Sequence, residues 1–343
     1  MSERIYRPKF YVGEVVPPEF LINRIEELQA LKEVLLERRG NVLLVGKRRM
    51  GKTSLVHKLM RELEHEKILC VYVDLTIFFG HEVNSFLEEV LLRICYGIGE
   101  KIFKKNTSEL LSEMGQEPGA LKGKYNRFLR IYEIVRAKTI SQHRERTTEA
   151  GLSTVAQAKL GQVEGTSVMI TPLMSFEFIR LVGELRDICR GDKYERIAVF
   201  ADEANRLADQ VSGDILRSYL DVFSSEQVQF LFVADPEVVF QSPHIANIFD
   251  RTVTLGPFRG ASDIRALLEK YYASIKVPMP FSDEAIAQIS RLSRDNPFLV
   301  QMLCNGALDV MGTGGRGVVT PDDVLQAWLV ELQHQPHLTE LWR

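Results

Sequence analysis

The chain has 343 residues, of which 45% are hydrophobic and 26% charged, with a formal net charge of −3. That length allows two or three compact units and a sizeable core, and the near-neutral balance excludes global basicity, so any contact with nucleic acid has to come from a local patch. No apolar run approaches the roughly 20 residues needed to span a membrane and the opening MSERIYRPKF lacks a signal-peptide segment, so the expected location is the cytoplasm, without membrane contact.

Residues 1–19, interrupted by Pro8, Pro17 and Pro18, read as an extended arm. In the next segment, Phe20 to Leu28, Asn23 is placed to cap a helix whose apolar face is Ile25, Leu28, Leu31, Val34 and Leu35. Asn41 to Met60 then reads as strand, glycine loop and helix in one run. Val42 to Val45 form a buried parallel strand, and Leu55, Val56, Leu59, Met60 and Leu63 give the helix one apolar face. The loop between them, Gly46-Lys47-Arg48-Arg49-Met50-Gly51-Lys52-Thr53, fits the phosphate-binding pattern G-x-x-x-x-G-K-[ST]. Glycines at both ends let the backbone wrap a polyphosphate, with amide N–H groups and the positive end of the helix facing the anion. In such a loop Lys52 reaches the terminal phosphates and Thr53 offers its hydroxyl to Mg²⁺. Without its flanking strand and helix the same spacing is only a glycine-bounded turn.

Ile68 to Leu75 reads as a second buried strand carrying Asp74, and helical patterning resumes near Val83 through Phe86, Leu87, Val90, Leu91 and Ile94. From Gly97 to about Arg146 the pattern is long, polar and helical, with a break around Gly115–Gly119. Within it Lys122, Lys124, Arg127, Arg130, Arg136, Lys138, Arg144 and Arg146 outnumber Glu133 and Glu145. Two readings stay open: a DNA contact through residues 122–146, or a solvated helix face, which the apolar Phe128, Leu129, Ile131, Tyr132, Ile134 and Val135 favour. Residues 150–172 suggest a hairpin inserted between helices.

A helix from about Ser175 to Arg190 leads to Arg196-Ile197-Ala198-Val199-Phe200-Ala201-Asp202-Glu203, an apolar strand ending in two carboxylates. A helix over Asp214–Phe223, a strand over Val228 to Ala234 and a fifth strand over Arg251 to Leu255 follow. Beyond Gly260 the β signal disappears. Ser262, Ser282, Asn296 and Thr320 each precede a helical run, with Pro297 and Pro321 at first helical positions, so a small helical bundle is expected. Its last helix sets Val324, Leu325, Trp328, Leu329 and Leu332 on a broad apolar face, and the tail beyond it adds Leu338, Leu341 and Trp342 as a docking surface or a fold-back onto the bundle. The scattered Cys70, Cys95, Cys189 and Cys304 form no C-x-x-C pair and read as reduced apolar fillers.

The strand ending in Asp202-Glu203 supplies what a phosphate loop lacks: Asp202 to hold Mg²⁺ through its water shell and Glu203 to polarise the attacking water as general base. The number of strands between the motifs predicts a sheet with a strand inserted between the loop strand and the acidic strand. That inserted strand ends at Asp235, a sensor candidate or a turn cap. The expected fold is α/β: a P-loop parallel sheet flanked by helices and followed by a helical lid. Its parts are an arm over 1–19, a core over 20–258 with an insertion at about 97–172, and a lid over 259–343.

Phe20 to Leu28, GKRRMGKTSL, the Asp202-Glu203 strand, RTVTLGPF from Arg251 and NPFLVQMLCNG from Asn296 together resemble the signal-transducing (STAND) and origin-recognition-related ATPases of the AAA+ class. The resemblance covers about residues 15–335 and implies a nucleotide-dependent ATPase using ATP and Mg²⁺. The implied binding set is Gly46, Lys47, Arg48, Arg49, Met50, Gly51, Lys52, Thr53 and Ser54. Asn23 and Arg24 are implied to line the adenine site, and Pro297 to lie in the lid over the nucleotide. Arg251 is implied to contact phosphate within its own chain or from a neighbour, with a homo-oligomer and an effector or signalling protein as partners. Many AAA+ motors put an arginine sensor where this lid helix carries Pro297, leaving only Arg294 nearby, so slow hydrolysis is expected. The absence of an N-K-x-D segment favours adenine over guanine. The sequence therefore predicts a slowly hydrolysing ATP switch, with an ATP-dependent DNA loader or transposition-type regulator as the alternative.

Overall fold

A run of four apolar residues has room for one buried strand, and Val42–Val45 (β1) is fully buried, followed by the helix Lys52–His65 (α2). In chain order the other elements before β5 are α1 (Ile25–Lys32), β2 (Ile68–Asp74), α3 (Val83–Lys101), α4 (Thr107–Glu113), α5 (Lys124–Glu149), α6 (Ser175–Arg190), β3 (Arg196–Asp202), α7 (Gly213–Ser225) and β4 (Val228–Ala234). Then come β5 (Arg251–Thr254) and the helices α8 (Ala261–Ile275), α9 (Asp283–Ser293), α10 (Pro297–Thr313) and α11 (Pro321–His334). The computed structural model describes residues 8–38, 40–77, 83–113, 123–149, 175–205, 213–237 and 247–334. The expected hairpin at 150–172, the break at Gly115–Gly119, and Leu338, Leu341 and Trp342 lie outside the described residues.

The five strands form one parallel sheet in the order β2-β3-β4-β1-β5. β4 therefore lies between the acidic strand β3 and the loop strand β1, as the sequence predicted. The registers of β2 on β3 (Asp74 opposite Asp202) and of β3 on β4 (Phe200 opposite Leu231) bring the acidic strand tips to one end of the sheet. By packing the chain divides into two units, one of Met1–Lys32, Leu44–Arg61 and Thr252–Arg343, the other of Glu33–Leu43 and Glu62–Arg251.

In the second unit the β4 face is held by aromatic contacts. Phe86 of α3 meets Phe230 and Phe232, and Phe223 of α7 meets Phe178 and Phe230 with ring centroids 4.9 and 4.8 Å away. Asn41 is buried at the start of β1: its Nδ2 donates to Ser224 Oγ and its Oδ1 accepts the Phe230 amide at 2.8 Å, while Asp250 takes its backbone N–H at 2.7 Å. The helix expected from Asn23 to beyond Val34 is not uniform. After Lys32 it widens into a π-turn over Glu33–Arg38, whose loosened carbonyls of Leu35 and Leu36 accept Arg196 Nη1 at 3.1 and 3.0 Å. Ile25, assigned to the buried face, is 77% exposed, whereas Leu31, Val34 and Leu35 are buried.

In the first unit α8–α11 close around one apolar core, and the N-terminal arm belongs to it. Phe10 and Ile22 are buried there, Phe20 meets Tyr271 edge-on at 5.0 Å, and Gln301 Oε1 accepts both the Tyr11 amide (2.9 Å) and the Tyr271 hydroxyl (3.0 Å). Two caps are as expected: Ser282 accepts the Ala285 amide, and Asn296 accepts those of Phe298 and Leu299, with Pro297 at the first helical position. α8 differs. Its cap is Gly260 at φ 84°, a backbone conformation closed to serine at little cost, and Ser262 lies inside the first turn. All four cysteines are buried, and burial pushes their thiols up, Cys189 to about 12, so they remain protonated fillers.

Candidate functional site

The glycine loop lies in the first unit, against the end of β5. The Leu255 amide donates to Val45 O at 2.7 Å, and an added Cβ on Gly46 would stand 2.8 Å from Leu255 O, so the first glycine is required by backbone contact. Gly51 has φ 86° and Arg49 φ 63°, which turn the loop before α2 begins at Lys52. Lys47, Arg48 and Arg49 are exposed and Met50 is buried beneath them. Lys52 Nζ donates to the carbonyl of Gly46 and, at 3.4 Å, to that of Lys47, so the ammonium is folded across the loop. The cradle, the ammonium and the Thr53 hydroxyl at the helix start form a donor set that fits a polyphosphate with Mg²⁺. Gly46→Ala should push the loop off β5 and cost about 1–3 kcal/mol of stability; a melting curve that superimposes on the wild type would contradict this packing.

Three contacts tie the loop and its helix to neighbours that the sequence did not disclose. Ser54 is buried and its Oγ accepts the Val16 amide of the arm at 2.9 Å. Arg61 of α2 lies 3.5 Å from Glu19. The Arg49 guanidinium stacks on Phe298, the second residue of α10, 3.9 Å from the ring centroid, a cation–π contact between the loop and the lid helix.

Asn23 and Arg24 occupy rare backbone conformations, φ 43° and 102°. Asn23 does not cap α1: its amide donates to the buried Asp263 of α8, while Arg24 O accepts the first helical bond from Leu28 N at 2.9 Å. The Arg24 guanidinium is buried between Glu27 (3.3 Å), Gly256 O (2.8 Å) and the Phe258 ring. Burial lowers its pKa and the Glu27 carboxylate opposes the shift. Pro297 is buried at the start of α10, and Arg294 takes the left-handed cap position of α9 at φ 47°.

In the second unit Asp202 is buried at the tip of β3. Its Oδ1 accepts the Glu203 amide at 2.9 Å and its Oδ2 accepts the Tyr72 hydroxyl at 2.8 Å. Glu203 is exposed and has φ 58°, an uncommon conformation for a glutamate that turns the chain out of the strand direction. Asp235 is engaged by Asn205, whose Nδ2 donates to Asp235 Oδ2 (2.9 Å) while its Oδ1 accepts the Asp235 amide (2.7 Å). Arg251 gives Nη1 to Glu33 of the π-turn at 2.7 Å. The basic helix α5 is partly answered by α6 and the turn after it: Arg127 lies 3.1 Å from Glu184 and Lys124 4.0 Å from Asp192. Arg180 also pairs with Glu184, beside a cavity of ≈370 Å³ that Arg127, Arg130 and Ile131 help to line. Lys122 and the side chains of Lys138, Arg144 and Arg146 lie outside the described residues. Sequence reasoning missed Tyr72 and Asn205, and placed Phe298 in the lid stretch without its contact to Arg49. Only their positions, two residues before a strand-end carboxylate and just after Asp202-Glu203, could have flagged the first two.

Against known proteins, the KAP family P-loop domain matches residues 28–252. Among solved structures, the Aeropyrum pernix ORC1 protein in complex with DNA is 14% identical at a TM-score of 0.50, with 92% of this chain and 66% of that chain covered. The Pyrobaculum aerophilum Cdc6p is 15% identical at 0.49, covering 95% and 70%, and a point variant of Thermotoga maritima RuvB is 14% identical at 0.48, covering 90% and 70%. This chain thus spans about two thirds of the first of these proteins, 66% of its length, and at such an identity the likeness is one of fold alone. No curated protein matches the sequence. Among the described residues no helix is long and apolar enough to cross a membrane.

Proposed function

The chain belongs to the KAP family of P-loop domains, and from that premise we propose that it is an ATP-binding switch that hydrolyses ATP slowly and controls assembly with partners. The observation that carries the proposal is the glycine loop, closed on β5 at Gly46 and crossed by the Lys52 ammonium. In this reading Gly46 to Ser54 bind the phosphates, with backbone N–H groups and Lys52 as donors and Thr53 and Asp202 for Mg²⁺. When bound, Mg²⁺ neutralises charge on the phosphate oxygens. Glu203 takes a proton from water as general base. Asn23 and Arg24 shape the adenine site, Pro297 belongs to the lid, and Arg251 leaves Glu33 for a phosphate or a neighbouring chain. We take residues 1–19 as the arm, 20–258 as the core with its insertion at about 97–172, and 259–343 as the lid. The signal-transducing (STAND) type is favoured within the AAA+ class because the lid starts with Pro297 rather than an arginine, and because Arg49 on Phe298 gives the loop a direct handle on that lid.

DNA binding through residues 122–146 is the second reading. The charge it needs is in part already spoken for by Glu184 and Asp192, whereas the apolar side of α5, Phe128, Leu129, Ile131, Tyr132 and Val135, is buried. Phosphate release measured with ATP and with GTP tests the main proposal. Slow, Mg²⁺-dependent release from ATP is expected; preference for GTP would overturn the adenine assignment, and salt-dependent retention of DNA would favour the second reading.

A further inference from the structure

We infer that Tyr72 is a positioning residue that sets the Asp202 carboxylate for its work on Mg²⁺; the inference rests on the role proposed above for Asp202. The register of β2 on β3 places Asp74 opposite Asp202, so Tyr72, two residues earlier on β2, projects from the same face of the sheet. Its hydroxyl donates to Asp202 Oδ2 at 2.8 Å while the Glu203 amide donates to Oδ1 at 2.9 Å. With a donor on each oxygen, the plane of the carboxylate is fixed. Asp202 is only 5% exposed, so donors on its oxygens replace the water that burial removes. The neighbouring Asp74 is held by Thr76, whose backbone N–H (2.8 Å) and hydroxyl (2.6 Å) both donate to its Oδ1. Burial first, then the Asp202 charge, raises the Tyr72 pKa, so the phenol remains a donor throughout the physiological range. An oriented carboxylate meets the water shell of a small, geometrically demanding cation in one arrangement, and groups that orient such ligands typically account for about 10–100-fold in metal affinity or activity.

The test is calorimetric titration of ATP into the full chain at a series of Mg²⁺ concentrations and in EDTA, for wild type, Tyr72→Phe, Asp202→Asn and the double variant. Tyr72→Phe keeps the ring and removes only the donor. It should raise the Mg²⁺ concentration for half-maximal enhancement about tenfold and leave ATP affinity in EDTA unchanged, a split that loosened packing would not produce. The double variant should match Asp202→Asn, since Tyr72 acts through that carboxylate. A Mg²⁺ dependence for Tyr72→Phe that superimposes on the wild type, with Asp202→Asn shifted, would overturn the inference alone. If neither variant shifts, the role of Asp202 falls and the inference with it.

Discussion

Lys52→Ala is expected to weaken ATP binding by about 10²-fold or more, close to 3 kcal/mol, while leaving a folded protein. The ammonium is the one side-chain cation that the motif aims at the terminal phosphates, and charge-assisted bonds of this kind are about twice as strong as neutral ones. Its contacts with the Gly46 and Lys47 carbonyls keep it over the loop, so its conformational entropy is already reduced before a phosphate arrives. The Lys47 carbonyl is exposed and the Gly46 bond only part-buried, so water can replace the lost donor and the fold should survive. Calorimetry together with a melting curve checks both parts; an unchanged ATP affinity in a folded variant would remove the phosphate-loop assignment.

Glu203→Gln should separate binding from chemistry. The amide keeps the size and the hydrogen-bonding reach of the carboxylate but cannot accept a proton, so turnover should fall by about 10²-fold or more with ATP affinity retained. The left-handed φ of 58° at this residue, and the engagement of its backbone N–H by Asp202, come from the strand end and are untouched by the exchange. Single-turnover phosphate release compared with equilibrium binding is the measurement. Hydrolysis at the wild-type rate would place the base on another residue.

Local patterns made much of this fold legible. Strand, glycine loop and helix are contiguous from Val42 to His65, the acidic strand declares itself by seven residues ending in Asp202, and Asn296-Pro297 and Ser282 announce helix starts through side chains acting on backbone amides two or three residues away. The place of β4 between the acidic strand and the loop strand followed from the strand–helix units between the two motifs and the strand after them. What stayed hidden depends on residues far apart in sequence. The arm looks extended because its prolines break regular patterning, yet Phe10 is buried by helices more than two hundred residues later. Asn23 has the composition of a cap, but Asp263 of α8 takes its amide and the backbone at Asn23 and Arg24 turns left-handed instead. Ser262 likewise yields to Gly260, because the turn before α8 needs a positive φ. Of the charges on α5, Lys124 and Arg127 face Asp192 and Glu184, partners that lie too far along the chain for the local pattern to disclose. Tyr72 carries no signal beyond its position two residues before Asp74, because its contact with Asp202 depends on a register between two strands more than a hundred residues apart.

In the proposed switch the Arg49–Phe298 stack would be the movable contact, since phosphate charge in the loop would compete with the ring for the same guanidinium. A contact of this size, about 0.5–1 kcal/mol when exposed, is small enough to be reversed by a nucleotide and large enough to bias two lid positions several-fold. Whether that bias is transmitted to partners is decided most directly by the mass of the full chain in solution, measured by light scattering without nucleotide, with ADP and with a non-hydrolysable ATP analogue in Mg²⁺. The ATP state is expected to differ in mass from the other two, through association or dissociation of copies. One and the same mass in all three states, under conditions where calorimetry shows the sites filled, would contradict it.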